Sequence, residues 1–405
     1  MGFSASRPSL RRDVFRNPNR PLVRSAARGQ PKPRILFAIN SLAGGGAERV
    51  FTSLLAASEA HSRDYDVAVA LLDEDPPGYA LPDWVPVYRL NCRHSFILST
   101  LRLSSLVASL RPDVMLSFLT RANVATAIAM RLRRRPFIIS ERIYTSGQLA
   151  RGRLAFISRA MVRLTYPAAN RVIAVSKGVG DTLQTDFGVR ADRVDVINNP
   201  VNAAAIRSMA KESPPFDVGP DDIVLIGRFA PQKNITLAIR AFARSGWPGR
   251  LILLGDGPLG GQLKALAEEL GVADRILFPG FLKNPYPVVG RACLLMLTSN
   301  EEGFSNSLVE AMCLGVPVLA TDCPFSPAEI LQVSEPPKRG EFATGTGGLL
   351  VPVGDEDAVV RALGRIKDPG LRAQLAREGQ ERVEVFSGAQ LFEQYWKIIA
   401  EVAAE

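Results

Sequence analysis

Twice in this chain a short apolar run leads through a polar or glycine-rich turn into a segment with helical apolar spacing. The first instance is RILFAIN (34–40), the turn SLAGGGAER (41–49) and the periodic stretch AERVFTSLLAASEA (47–60); the second is DIVLIGRFAPQKNITLAIRAF (222–242). A buried strand feeding a turn and an amphipathic helix opens a parallel, doubly wound sheet, because the helix must return over the sheet before the next parallel strand can begin. Further strand-like runs follow the first unit at 65–72, 87–90, 113–118, 136–140, 171–176 and from 194, and follow the second at 250–258, 275–282 and 293–297. With 405 residues and 47% hydrophobic content, the chain can fill two such cores, since single cores stop growing near ~250–300 residues. The expected fold is α/β, with two Rossmann-like doubly wound domains at 34–200 and 201–388. The polar, Pro-containing stretch up to Pro220 carries the crossing, and a last helix takes 389–405.

Charge is unevenly spread. Residues 1–34 carry +8, residues 35–200 carry +6 and residues 201–405 carry −5. Residues 1–33 have no apolar periodicity and are expected to be a disordered basic tail. The basic excess of the first half gathers at Arg131, Arg133, Arg134, Arg135, Arg142, Arg151, Arg153, Arg159 and Arg163, a pattern suited to an anionic membrane surface or a phosphorylated acceptor. The stretches 95–112 and 149–166 interleave arginine with large apolar residues, so each reads either as a helix covering the sheet or as one touching a membrane surface. No window approaches the ~18 uninterrupted apolar residues of a membrane span. A nucleic-acid partner is not expected, because the arginines lack interleaved aromatics and any reader motif. Four cysteines without a CxxC pair and only two histidines argue for buried thiols in a reducing compartment and against a zinc centre or a Ser-His-Asp triad. The acidic run Asp73-Glu74-Asp75 before Pro76-Pro77 reads as a solvated loop.

The most informative stretch is TSNEEGFSNSLVEAMCLGVPVLA (298–320). It reads as a strand end, a glycine-containing turn, a helix capped by Ser305, Asn306 or Ser307, and a new strand after Gly315 and Pro317. A helix N-terminus suits a diphosphate. Glu302 before the helix and Glu310 in its first turns would repel that anion unless they face hydroxyl-bearing parts of the same ligand, and a nucleotide-sugar has such parts at both ends. In the second unit, Arg228 and Lys233 flank a turn ahead of a helix and can pair with two phosphate charges. In the first unit, Gly44, Gly45 and Gly46 do not form the dinucleotide fingerprint, which demands glycine where Arg49 stands. Glu141 and Arg142 follow a strand end, where ligand-facing residues collect.

At these residues the chain resembles the retaining glycosyltransferases of family 4. Their Glu-x7-Glu signature matches Glu302 and Glu310, with Gly303 and Phe304 after the first glutamate, and AMCLGVPVLATD continues the likeness. GRFAPQKN resembles the family's donor-phosphate Arg and Lys. The resemblance implies a GT-B fold, two domains facing a central cleft, with the final helix crossing back onto the first domain. It implies that Arg228, Lys233, the 303–305 backbone and the Gly44–Gly45–Gly46 loop hold a donor diphosphate, that Glu310 takes the ribose hydroxyls and Glu302 the transferred sugar, and that Ser305 and Asn306 line the same site. Gly280, Phe281 and Leu282 are expected near the base. Many members carry a histidine where this chain has Glu141 and Arg142, so either of these could approach the acceptor. TDCPFSPAEIL (321–331) resembles a subgroup acting on bacterial lipid-linked or polysaccharide acceptors, with Ser326 where that subgroup usually has glycine.

The implied activity is metal-independent transfer from a UDP-sugar, with no cofactor, to a lipid-linked or cell-surface glycan, by a cytoplasmic protein peripheral to the inner face of the membrane. A sugar-nucleotide epimerase shares the plan but is disfavoured by the full Glu-x7-Glu match.

Overall fold

The computed structural model describes residues 32–142 and 155–405, so the expected tail and the start of the 149–166 stretch lie outside the described residues. The first sheet contains β1 (Arg34–Ile39), β2 (Asp66–Leu71), β3 (Val87–Arg89), β4 (Val114–Phe118), β5 (Phe137–Glu141), β6 (Arg171–Ala174) and β7 (Val194–Val196). Its order is β3-β2-β1-β4-β5-β6-β7, parallel throughout. The second contains β8 (Ile223–Ile226), β9 (Leu251–Leu254), β10 (Ile276–Gly280), β11 (Leu294–Leu297), β12 (Val318–Thr321), β13 (Ala343–Gly345) and β14 (Gly348–Val351). Its order is β10-β9-β8-β11-β12-β14-β13, parallel except for β13. The expected pair of doubly wound sheets is therefore present. The antiparallel edge strand β13 was not foreseen: three residues of Ala-Thr-Gly carry no apolar alternation, and the strand exists because a tight turn folds it onto β14.

Both central strands are buried on both faces, which is why they read as continuous apolar runs. In β1, Ile35, Phe37 and Ile39 face one cluster while Leu36 and Ala38 face another. The first cluster is completed by the helix Gly46–Ala57 and by the C-terminal helix Gly388–Ala404. On the opposite face lie Phe96–Leu110 and Thr120–Arg131. That second cluster continues through Val201, Ile206 and Phe386 into Val224 of β8, so one apolar core joins the two sheets.

The C-terminal helix does cross back. Trp396 stacks on His61 with ring centroids 4.3 Å apart, packs against Phe37 at 6.1 Å and donates its indole N–H to Ser58 Oγ at 2.8 Å. Tyr395 stacks on Phe118 at the end of β4. The far end of the chain thus forms part of the first domain's core. Trp396→Ala is expected to cost about 3–5 kcal/mol of stability in urea unfolding, as for other buried Trp truncations; a loss below about 1 kcal/mol would mean the helix only rests on the sheet.

Candidate active site

The strand order reverses direction between β1 and β4 in the first sheet and between β8 and β11 in the second. Crevices outside the carboxyl ends of strands at such a point are where open α/β sheets bind ligands. The loops leaving these four strands meet across a cleft of about 740 Å3. Its walls carry Gly44, Gly45, Gly46 and Arg49 after β1, Leu119 after β4, Arg228 and Lys233 after β8, and Glu302 through Ser307 with Glu310 after β11. Arg142, from the end of β5, and Asn199, from the crossing segment, reach the same space.

Residues more than 250 positions apart in the sequence come together because both sheets present the same end to the gap. Helix Gly46–Ala57 and helix Asn306–Cys313 begin opposite one another, and no side chain of either N-cap residue, Gly45 or Ser305, caps its helix. Both therefore point their positive ends at the gap. Contact there is close: a Cβ added to Gly46 would stand 2.7 Å from Asn306 Nδ2. Gly44 adopts φ +113°, a backbone region L-residues rarely enter, and Gly78 of the neighbouring loop packs against its Cα. Ser305 bonds instead to Ser326, whose Oγ accepts from the Ser305 N–H at 3.1 Å and lies 3.0 Å from its Oγ. Ser326 thus fixes the turn that starts the helix.

Two ion pairs fill the cleft. Lys233 Nζ donates to Glu302 Oε1 at 2.5 Å, and Ser299 Oγ donates to the same oxygen at 2.6 Å. Arg49 Nη1 bonds to Glu310 Oε1 at 2.5 Å and Tyr286 Oη at 3.3 Å, a bridge between the two domains. Glu48 curls back over Gly45; burial raises its carboxyl pKa, against the pull of its own and Gly45's N–H groups. Arg228 is exposed on the cleft wall, and no acid among the described residues pairs with it.

The structure thus gathers Gly44, Gly45, Gly46, Arg142, Arg228, Lys233, Glu302, Gly303, Phe304, Ser305, Asn306 and Glu310 in one place. Four expected residues stand outside the cleft lining. Gly280 ends β10, two strands from the reversal, with Leu282 beyond it, and Phe281 is 80% exposed. Glu141 is fully buried beneath the cleft, where it accepts from Tyr166 Oη at 2.6 Å and Thr120 Oγ1 at 3.3 Å. Burial, then the charge of Glu141, holds the Tyr166 phenol well above its ordinary pKa, so it remains a donor. Of the two residues at the family's histidine position, only Arg142 reaches the cleft. It donates to Tyr395 Oη at 2.6 Å and to Asn199 Oδ1, and Asn199 in turn donates to Asn306 Oδ1 at 2.7 Å. This relay connects the C-terminal helix, the first sheet, the crossing segment and the start of the donor-side helix.

Arg49, Asn199, Tyr79 and Leu119 were not foreseen. Arg49 sits one turn after the glycine loop, but its partner is in the other domain and has no local signal. Leu119 adopts φ +74°, strained for a branched residue, at the switch strand's end. The acidic run is corrected: Asp73 is buried, pairing with the Arg121 guanidinium and accepting from the His94 N–H at 2.9 Å. Burial pushes its pKa up, but these partners outweigh that and hold it below the carboxylate norm. Asp73, Asp75 and His94 bring ligand atoms within 4.8 Å of one another, yet none lines the cleft. Cys92, Cys313 and Cys323 are buried as expected and Cys293 only partly so; burial drives Cys293 and Cys313 up to about 12, and Cys323 above its usual value as well.

Comparison with known proteins agrees with this geometry. Residues 44–205 match the family described as Glycosyltransferase Family 4 and residues 207–382 the family described as Glycosyl transferases group 1. A Campylobacter jejuni relative, N-acetylgalactosamine-N,N'-diacetylbacillosaminyl-diphospho-undecaprenol 4-alpha-N-acetylgalactosaminyltransferase, is 28% identical over 86% of this chain and 94% of its own length. The apo form of the lipopolysaccharide outer core galactosyltransferase WaaB superposes with a TM-score of 0.70 at 22% identity, over 91% of this chain and 99% of that one. Anabaena HepE in complex with UDP gives 0.68 at 20% identity, over 91% and 100%. These structures show the same two-domain GT-B fold.

The contact at Gly46 gives a direct test. Gly46→Ala would push the Asn306 amide, which also accepts from Asn199, out of its place; turnover is expected to fall about tenfold or more, as small displacements of reacting groups do, while stability stays within about 1 kcal/mol of wild type. Full turnover in this variant would show that the contact does not set the gap.

Proposed function

Because this chain belongs to the glycosyltransferases that join a family 4 domain to a group 1 domain, we propose that it moves a sugar from a UDP-sugar to a lipid-linked or cell-surface glycan acceptor. Transfer retains the anomeric configuration and uses no metal. The observation that carries this reading is the convergence of Arg228, Lys233, Glu302, Glu310 and the glycine loop on one cleft between the domains.

The difficult part of glycosyl transfer is departure of the diphosphate with negative charge building on its oxygens. Cations and helix ends already fixed around that position lower the barrier without reorganising. Arg228, Lys233 and the two facing helix N-termini are placed for this, and they supply the positive charge a metal otherwise would. Glu302 and Glu310 hold cations in the ligand-free cleft and take sugar and ribose hydroxyls when the donor enters. The bond from the anomeric carbon to the diphosphate oxygen breaks, and the acceptor oxygen bonds on the same face. Its proton passes to the departing phosphate, so no protein base is required.

The lipid-linked acceptor is supported by the Campylobacter relative, whose name places its substrate on diphospho-undecaprenol. No helix among the described residues is long and apolar enough to cross a membrane. Instead, helices Thr120–Arg131 and Ala155–Thr165 lie side by side on the first sheet. They and the residues after them expose Leu132, Phe156, Ile157 and Leu164 among Arg131, Arg133, Arg134, Arg159 and Arg163. Large apolar side chains interleaved with arginine suit the surface of an anionic bilayer, on the cytoplasmic side where nucleotide-sugars are made available to such enzymes.

Two experiments test the proposal. Glu302→Ala and Lys233→Ala should each lower kcat/KM for the donor about a hundredfold or more, with activity retained in EDTA and an α-donor giving an α-linked product by NMR; wild-type activity in both variants would remove the assignment. Sedimentation with vesicles should show binding that rises with anionic lipid, weakens in 0.5 M salt, by about the Debye argument, and drops in Phe156→Asp. Equal binding to neutral and anionic vesicles would refute the membrane face.

A further inference from the structure

Arg49 lies one turn into the helix that follows the glycine loop, and Glu310 lies one turn into the helix that faces it. Their side chains are only 29% and 11% exposed, and they meet at 2.5 Å, so the carboxylate expected to take the donor ribose is already held by a guanidinium from the opposite domain. A vicinal diol binds a carboxylate best through both oxygens, and Glu310 Oε1 is the atom that holds Arg49. A ribose that bonds to both oxygens must share Oε1 with Arg49 or displace it. A displaced arginine whose side chain is only 29% exposed gains by finding another anion, since partial desolvation disfavours an unpaired charge. In a nucleoside diphosphate the next anion is close at hand: the α-phosphate is joined to the ribose ring by a single methylene. Arg49 also lines the same cleft wall as Gly44, Gly45 and Gly46, on the helix whose N-terminus faces that position.

We propose that Arg49 is a donor-binding residue that exchanges partners, leaving Glu310 for the donor's diphosphate as the ribose takes the carboxylate. This rests on the nucleoside-diphosphate donor reading and adds to it a third cation, contributed by the acceptor-side domain. The Arg49–Glu310 bridge across the cleft is replaced by one that passes through the donor, and only a ligand that carries both a ribose and a phosphate completes it. A nucleoside alone evicts Arg49 and gives it nothing in return.

The test is titration calorimetry of the full chain with UDP and with uridine. Wild type is expected to prefer UDP strongly, and in Arg49→Met that preference should shrink about tenfold or more, the size of one lost charge-assisted hydrogen-bond pair. Arg49→Lys, which keeps the charge but not the fork, should fall between the two. A UDP-over-uridine preference in Arg49→Met equal to wild type would overturn the exchange. Should Arg49→Met bind neither probe, Arg49→Lys decides alone: a reduced preference supports the exchange, and an unchanged one overturns it. A wild-type protein that binds no UDP would instead sink the donor reading itself, an outcome distinct from the other two.

Discussion

Two helices that start opposite one another across a narrow gap, neither capped by its N-cap side chain, concentrate positive potential between them. The rest of the cleft is arranged around that constraint. Four acids, Glu48, Glu301, Glu302 and Glu310, line the gap together with four cations, Arg49, Arg142, Arg228 and Lys233. Two of the cations are bound to two of the acids at 2.5 Å. The side chains of the cleft are therefore close to electrically balanced, yet their pairs are single bonds that a ligand with hydroxyls and phosphates can re-partner. Such a site binds through exchange, and its selectivity depends on offering each freed group a new partner.

The gap keeps its width because contacts outside the cleft hold the domains. Apolar packing runs unbroken from the first sheet to the second, and the relay Tyr395–Arg142–Asn199–Asn306 spans four separate segments. Glu329, of the second domain, accepts from two groups of the first, the Lys177 N–H at 2.9 Å and Asn198 Nδ2 at 3.1 Å. Arg142 belongs to both systems. It faces the cleft and also fixes the crossing segment, so a residue that sequence alone offers as an acceptor contact is at the same time a structural tie.

Much of this was legible from residue order. Central strands buried on both faces must be uninterrupted apolar runs, and that marked nearly every strand; the exception, β13, is short and held only by its turn. The cleft residues were legible where function forces a local pattern, as with Glu302 and Glu310 eight positions apart or Arg228 and Lys233 around one turn. Partners drawn from the other domain left no such trace. Glu141 shows the reverse case, a carboxylate at a ligand-facing strand end that the fold buries under a tyrosine and a threonine. Phe281, expected near the base, is exposed after the end of β10.

The C-terminal helix adds a constraint on how the molecule comes to exist. Trp396, Tyr395 and Ile399 complete a core whose other members, Phe37, Phe51 and Phe118, are made hundreds of residues earlier. As the chain leaves the ribosome, the first domain emerges without the aromatic cover that the Gly388–Ala404 helix supplies, and its core stays incomplete until that helix has been made. The donor domain meets no such delay, so the half made second is the half able to finish folding first.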